Sequence, residues 1–206
     1  LGDVYKRQDY RYVAYGNDVE DLIKAFSEVK DIDHPVVVHI NTQKGKGYAP
    51  AEADRERFHF GGPFDEPTGH PLHIDESADY GDITAEHLLG LMKEDPTVAV
   101  ITAGTPSVFG FDPERRAKAG KQFIDVGIAE QEAVALSSGL AKGGAKPFFG
   151  VTSSFLQRAY DQLSQDVAIN NTPVVIGIFY GTLYGMTDVT PVSYTHLRAH
   201  ETCADL

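Results

Sequence analysis

The stretch that decides the fold is residues 123–144, which read FIDVGIAEQEAVALSSGLAKGG. The run Phe123–Val126 predicts a short strand, Gly127 predicts a turn, and Ala129–Lys142 predicts a helix that the following glycine pair ends. Glu130 then lies in the first turn of that helix, at the carboxyl end of a strand, where open parallel sheets bind their ligands. A purely structural interpretation stays open, because the helix dipole alone favours a glutamate at this position.

The same alternation of strand and helix continues on both sides of this stretch. Short β-branched or aromatic runs predict strands at Val98–Thr102, Lys146–Val151 and Val174–Phe179, and apolar residues at helical spacing predict helices at Thr84–Glu94, up to about Gly120, and at Ser154–Ile169. Strands and helices in this order predict an α/β domain with a mostly parallel sheet flanked by helices. We place this domain at residues 82–190 and expect it to be incomplete at its end.

The chain before that domain has the pattern of the end of a different domain. Apolar residues predict an amphipathic helix at Val19–Lys30, and Val36–Ile40 has the β-branched composition of a buried strand. From Thr42 to Tyr80 the sequence is charged and rich in Gly, Pro and His without a sustained period, which is typical of a long loop. We therefore assign residues 9–52 to the C-terminal end of one domain and residues 53–81 to an interdomain linker.

Both ends of the chain differ from the rest. Residues 1–8 (LGDVYKRQ) lack the apolar core and the cleavage site of a signal peptide. Residues 191–206 follow a strongly patterned region without a periodicity of their own, yet they contain two of the eight histidines. We interpret both as adaptor-derived tails and exclude them from the fold prediction; the alternative is a pair of divergent native tails. The natural segment is then expected to be residues 9–190.

The composition restricts the class of protein. The chain has 206 residues with 18 Lys+Arg and 30 Asp+Glu, so its formal net charge is -12, which argues against a general nucleic-acid or anionic-membrane binder. Its longest nearly apolar stretch, Pro173–Met186, is interrupted by Gly, Tyr and Thr and is too short to span a bilayer. Cys203 is the single cysteine and cannot form an internal disulfide, so we expect a cytoplasmic protein.

Two patterns in the N-terminal part carry side chains suited to chemistry. Gln43–Tyr48 (QKGKGY) follows a strand, and its backbone amides could face a phosphate. It lacks the spacing of a P-loop, however, and equally fits a flexible basic turn. His59 lies between aromatic residues in the linker, where a lone histidine is more often a surface residue than a catalyst.

A third pattern begins the predicted helix after the strand Lys146–Val151. Phe155 and Arg158 are three residues apart there, so they share one face of the helix. The structural alternative is a core aromatic next to an arginine that pairs with Asp161 or Asp166. None of these patterns decides a function by itself.

Four motifs occur in one order along the chain: KGKGYAPAE at 44–52, FHFGGPFD at 58–65, DVGIAEQEAV at 125–134 and SSFLQRAYDQLSQDVAINN at 153–171. Together they closely resemble the thiamine-diphosphate-dependent transketolase superfamily and, within it, the branch that makes 1-deoxy-D-xylulose 5-phosphate. The resemblance covers nearly all of residues 9–190, and its last two motifs are specific. It implies the thiamine-diphosphate-binding fold, with the tail of the diphosphate-binding domain at residues 9–52 and a pyrimidine-type domain at residues 82–190.

The resemblance also implies roles for individual residues. Glu130 is expected to be the catalytic acid that hydrogen-bonds the aminopyrimidine ring of thiamine diphosphate, which turns the cofactor into its own base. Phe155 is expected to stack on that ring, and Tyr48 to line the cofactor. His59 is expected at the reacting centre, where it shuttles protons or holds the substrate carboxylate. Arg158 is expected to bind the sugar phosphate through its planar fork.

The reaction implied by the resemblance condenses pyruvate with glyceraldehyde 3-phosphate with loss of CO2, as a step toward isoprenoid and thiamine precursors. Mg2+ is the second expected cofactor, with its ligands in chain that precedes this segment. We therefore assign no metal ligand here and expect the segment by itself to be inactive. The resemblance further implies a homodimer, and we expect neither a nucleic acid nor a membrane as a partner.

The sequence departs from the synthase branch at three places around the phosphosugar. The branch is expected to carry a tyrosine where this chain has Thr152, an Asp-Arg pair where it has Phe179 and Tyr180, and an aspartate near Thr187. Loss of an arginine removes a bidentate phosphate clamp, which is not a conservative change. The sequence therefore does not identify the acceptor substrate. A transketolase-type ketol transferase and a non-catalytic pyrimidine-domain paralogue stay as alternatives.

Overall fold

The computed structural model describes residues 9–59, 62–73 and 79–179. Both predicted tails, and the departures at Tyr180 and Thr187, lie outside the described residues. The chain divides into two compact units, Leu1–Glu76 and Ser77–Leu206. No helix among the described residues is long and apolar enough to cross a membrane.

The first unit contains a parallel strand pair with one helix between the strands. Strand β1 (Asp9–Val13) pairs with β2 (Val36–Ile40) in parallel, and α1 (Val19–Val29) connects them. The Asp18 side chain caps α1 by accepting hydrogen bonds from the backbone N–H groups of Glu20 and Asp21. Strand β1 is absent from our prediction, because its sequence DYRYV carries exposed polar and tyrosine side chains rather than an apolar run.

The segment after β2 is less irregular than predicted. A short helix, α2 (Ala49–Ala53), follows directly after Tyr48 within the predicted loop. Pro50 lies in its first turn, where the missing N–H of proline costs nothing. Further on, Phe64 and Pro71 form an isolated antiparallel bridge.

The second unit is a parallel sheet with helices on its faces. Its helices are α3 (Tyr80–Glu94), α4 (Pro113–Ala119), α5 (Glu130–Lys142), α6 (Ser153–Leu156) and α7 (Tyr160–Gln162). Its strands are β3 (Val98–Thr102), β4 (Phe123–Asp125), β5 (Lys146–Thr152) and β6 (Val175–Phe179), in the order β4-β3-β5-β6 with every neighbouring pair parallel. The predicted α/β class with a parallel sheet flanked by helices is confirmed.

The core explains why both faces of this sheet are covered. Every residue of β3 is buried, and its side chains alternate between two apolar clusters, as the two-residue period of a strand requires. One cluster contains Ala85, Leu88, Met92, Val98, Val100, Phe109, Phe111 and Ala119; the other contains Ala99, Ile101, Ala103, Ala133, Val134, Phe149, Val151 and Ala159.

Helix α3 begins earlier than predicted. The spacing predicts that the helix starts at Thr84, but Asp79 caps it, with its side chain accepting the backbone N–H of Asp82 at 2.8 Å. The Thr84 hydroxyl instead donates to the carbonyl of Tyr80 inside the helix, at 2.7 Å. A threonine can serve either purpose, so its identity alone did not distinguish the two positions.

The predicted regular helix Ser154–Ile169 changes type along its length. After α6, Gln157–Ala159 forms a 3₁₀ turn, and Leu163–Ile169 is a π-helical turn after α7. The wide turn leaves the carbonyl of Asp166 to accept a hydrogen bond from the Ser138 hydroxyl on α5, at 2.7 Å. The spacing of apolar residues does not report a tertiary hydrogen bond of this kind, so the change of helix type could not be predicted from it.

Candidate active site

Glu130 is the first residue of α5 and lies just beyond the carboxyl end of β4. The chain turns at Gly127, whose φ of 73° lies in the left-handed region that glycine adopts without strain. The side chain of Glu130 is only 2% exposed. The predicted location of this carboxylate at the end of a parallel strand is therefore what the structure shows.

Asp125 holds the turn that positions Glu130. Its Oδ1 accepts backbone N–H groups from Gly104 and Gly127, each at 2.9 Å. Gly104 follows β3, and Gly127 follows β4, so one carboxylate oxygen joins the ends of two neighbouring strands. Sequence reasoning missed this residue, although an aspartate that ends a strand just before a glycine turn is a usable pattern.

Arg158 is the ion-pair partner of Glu130. Its Nη1 lies 3.1 Å from Oε1 and 3.3 Å from Oε2 of the carboxylate. Its guanidinium also lies over the ring of Phe155, 4.9 Å from the ring centroid, within the range of a cation–π contact. The structure thus brings these three predicted site residues together, and Arg158 pairs with Glu130 rather than with Asp161 or Asp166.

Two buried hydroxyl groups lie beside Phe155 in sequence, at the end of β5. The hydroxyls of Thr152 and Ser154 are 3.3 Å apart, and both residues are buried. Thr152, which we noted as a departure from the synthase branch, is therefore part of the strand end that leads into α6. The other described departure, Phe179, packs its ring against Phe109 with the centroids 5.7 Å apart.

Tyr48 and His59 lie in the first unit. The Tyr48 ring packs against the rings of Phe58 and Phe64, with centroids 5.6 Å and 5.8 Å away, and its hydroxyl donates to the carbonyl of Glu66 at 2.7 Å. His59 is exposed, and its Nδ1 lies 2.7 Å from the Nζ of Lys44. Lys44, the first lysine of the glycine-rich motif, is thus a partner of the linker histidine, which the spacing in sequence did not indicate.

The described residues contain no group of three or more His, Cys, Asp or Glu side chains arranged to hold a metal ion.

Comparison with known families identifies the domain that contains Glu130, Phe155 and Arg158. The family model described as "Transketolase, pyrimidine binding domain" matches residues 76–206, more than half of the chain. The chain belongs to the transketolase pyrimidine-binding domain family. The strand end, the glycine turn and the buried Glu130 are thus features of a transketolase pyrimidine-binding domain.

Curated relatives extend the similarity into the first unit. The chain is 42% identical over 190 residues to a protein of Chlorobaculum tepidum named 1-deoxy-D-xylulose-5-phosphate synthase, with 89% of this chain and 30% of the relative covered. Proteins of the same name from Symbiobacterium thermophilum and Desulforudis audaxviator are 42% and 39% identical, with 89% and 85% of this chain covered. The chain spans less than a third of these relatives, since 28% and 27% of the last two are covered.

A solved structure titled "Split gene transketolase, inactive beta4 tetramer" is 24% identical to this chain, with a TM-score of 0.40 over 46% of this chain and 31% of the other.

The described residues of this transketolase pyrimidine-binding domain fit an aminopyrimidine ring. A carboxylate that is almost fully buried needs a hydrogen-bonding partner, and the ring of Phe155, which the same Arg158 side chain contacts, provides a face for stacking. The contacts of Arg158 show that a flat group with N–H donors can hydrogen-bond the Glu130 carboxylate and lie over the Phe155 ring at the same time.

Proposed function

We propose that this chain is part of a thiamine-diphosphate-dependent 1-deoxy-D-xylulose-5-phosphate synthase, which condenses pyruvate with glyceraldehyde 3-phosphate and releases CO2. The observation that carries the proposal is the buried carboxylate of Glu130, held at a strand end and joined to Phe155 through Arg158, which contacts both. The names of the curated relatives at 39% and 42% identity support the same reaction.

Thiamine diphosphate, when bound, supplies a nucleophilic carbon that attacks the carbonyl group of a 2-oxo acid. Glu130 would hold the aminopyrimidine ring and could exchange a proton with it at a carboxylate oxygen, and its buried position at the start of α5 limits the access of water to that oxygen. Phe155 orients the ring by stacking, and the Asp125 bridge keeps the carboxylate in place. Tyr48 is assigned to the cofactor on the basis of the family resemblance alone.

The substrates are assigned to the polar groups that stay accessible. Arg158 has 44% of its side chain exposed and binds the phosphate of the sugar. His59 is exposed and holds the pyruvate carboxylate or moves a proton. Mg2+ is proposed as the second cofactor, with ligands from chain outside this segment.

A transketolase-type transfer of a ketol unit is the second candidate. Phe179 favours it, because its ring packs against Phe109 in an apolar cluster, where the synthase branch is expected to carry a charged group. A non-catalytic paralogue is the third candidate, and it differs from the others in having no turnover.

We further propose that the complete protein is a homodimer in the cytoplasm and acts on small molecules. The acidic composition, with 30 Asp+Glu against 18 Lys+Arg, supports small-molecule substrates over nucleic acid as partners. The homodimer rests on the family resemblance, and a sedimentation measurement on the complete protein tests it.

The proposed reaction is tested by CO2 release from pyruvate, with and without glyceraldehyde 3-phosphate, in the complete protein that contains this chain. We expect Glu130→Gln to lower kcat at least about a hundredfold, because the amide cannot exchange the proton. Glu132→Gln is the matched control, since Glu132 lies exposed in the same helical turn, and it should retain wild-type activity.

The alternatives are separated when a second assay, with a ketose phosphate as the donor in place of pyruvate, is added. Ketose turnover without CO2 release would favour the ketol transferase over the synthase. Wild-type protein without either activity would indicate the paralogue. Activity of Glu130→Gln within a few-fold of wild type would refute the role of Glu130.

A further inference from the structure

The guanidinium of Arg158 contacts both groups that the proposed function assigns to the aminopyrimidine ring. It hydrogen-bonds the Glu130 carboxylate at 3.1 Å and 3.3 Å and lies 4.9 Å from the ring centroid of Phe155. A guanidinium is flat, delocalised and rich in N–H donors, much like an amino-substituted heteroaromatic ring. Arg158 therefore makes the same two contacts that the proposed ligand would make, a hydrogen bond to Glu130 and a stacking contact with Phe155.

Burial shows which member of the pair can move. The side chain of Glu130 is 2% exposed and that of Arg158 is 44% exposed, so the arginine is the solvent-facing member. Both hydrogen bonds come from Nη1, whereas the firmest arginine–carboxylate pairs use two nitrogens in a fork. A half-exposed side chain attached through one nitrogen can leave the buried carboxylate when another hydrogen-bonding group takes its place.

We propose that Arg158 competes with the aminopyrimidine ring for Glu130 and Phe155, so that the guanidinium leaves the carboxylate when the ring binds. This inference rests on the proposed function, in which thiamine diphosphate is the ligand. A released guanidinium on the solvent side of the site is then free to bind the phosphate of the sugar.

The test compares stability and affinity in the complete protein, without any assay of turnover. Arg158→Gln removes the cation, and Arg158→Lys keeps the charge but removes the planar fork. Without the cofactor, Arg158→Gln should lower Tm, because the buried Glu130 carboxylate loses its partner. With saturating thiamine diphosphate and Mg2+ the Tm difference should vanish. The Kd measured by calorimetry should accordingly fall about tenfold, with a smaller fall for Arg158→Lys.

Arg115→Gln is the matched control. Arg115 forms ion pairs with Asp82 and Glu86 of α3, so its loss should lower Tm equally with and without the cofactor and leave Kd unchanged. This control separates a general loss of an ion pair from a loss at the ligand site.

An unchanged or higher Kd for Arg158→Gln, or an equal loss of Tm in both conditions, would show that the arginine stays on Glu130 and would overturn the inference. If Arg158→Gln does not fold, the sign of the change in Kd for Arg158→Lys decides in the same way. Wild-type protein that binds no thiamine diphosphate would reject the proposed function, and the inference with it.

Discussion

At the scale of single residues, the contact with Lys44 determines which ring nitrogen of neutral His59 carries the proton. The lysine Nζ lies 2.7 Å from His59 Nδ1. An ammonium group donates hydrogen bonds and accepts none, so Nδ1 must be the acceptor and the proton of a neutral ring is on Nε2. His59 therefore presents an N–H donor at Nε2, which suits the proposed contact with a substrate carboxylate.

We expect Lys44→Met to remove this tautomer preference. For the neutral ring, the ¹⁵N NMR shifts of His59 should report the Nε2–H form in the wild type and a mixture of both tautomers in the variant. Lys46→Met is the control, because Lys46 is an exposed lysine of the same motif, and its spectrum should match the wild type. Identical His59 shifts in all three proteins would contradict the assignment.

At the scale of elements, the carboxyl ends of β3 and β4 form one unit through Asp125. A single oxygen accepts N–H groups from the residues that follow both strands. The backbone that leads into the first turn of α5 is therefore held in place by Asp125. The position of Glu130 depends on this backbone as well as on the contacts of its own side chain.

Asp125→Ala should loosen this turn, and in the complete protein we expect the Kd for thiamine diphosphate to rise about tenfold, since two hydrogen bonds to a charged group are lost. Asp125→Asn keeps a carbonyl oxygen at Oδ1 and should show a clearly smaller rise. Calorimetric titration measures both values. A wild-type Kd for Asp125→Ala would mean that the turn holds its shape without the bridge.

At the scale of the whole molecule, a surface ion pair links elements that are distant in sequence. Asp95, which follows α3, accepts a hydrogen bond from the Lys146 ammonium at the start of β5, at 2.7 Å, and hydrogen bonds from the backbone and hydroxyl of Thr97. The Lys146 ammonium, followed by the bonds from Thr97, holds the pKa of Asp95 well below its usual range.

A lowered folded-state pKa stabilises the fold at pH values above the unfolded-state pKa, about 3.9, and this contribution is lost as the pH falls toward the folded-state pKa. Asp95→Asn should therefore be less stable than wild type at neutral pH, with a difference that shrinks as the pH is lowered from about 5 toward 2. Urea unfolding at a series of pH values measures this. Glu114→Gln, which removes an exposed helix pair with Lys118, should change stability little at any pH; a pH-independent deficit in Asp95→Asn would contradict the expectation.

Most of the second unit could be predicted from its sequence. The strands at Val98–Thr102 and Phe123–Asp125 and the helix Glu130–Lys142 lie within a residue or two of their predicted bounds. Their patterns are local: alternation, turn glycines and helical spacing need no partner to be recognised. Strand β1 (Asp9–Val13) could not be predicted, because its assignment depends on pairing with β2 rather than on its own composition.

The features of the candidate site also fall into those that the sequence predicts and those that depend on tertiary packing. The sequence by itself determined that Glu130 begins a helix at a strand end and that Phe155 and Arg158 share a helical face, since chain geometry over a few residues dictates both. Only the tertiary structure decided that Arg158 reaches back to Glu130, that Asp125 ties two strand ends together, and that Lys44 meets His59. These contacts join residues 15 to 28 positions apart, or bridge separate strands, and packing of the elements, not local preference, brings such groups within hydrogen-bonding distance.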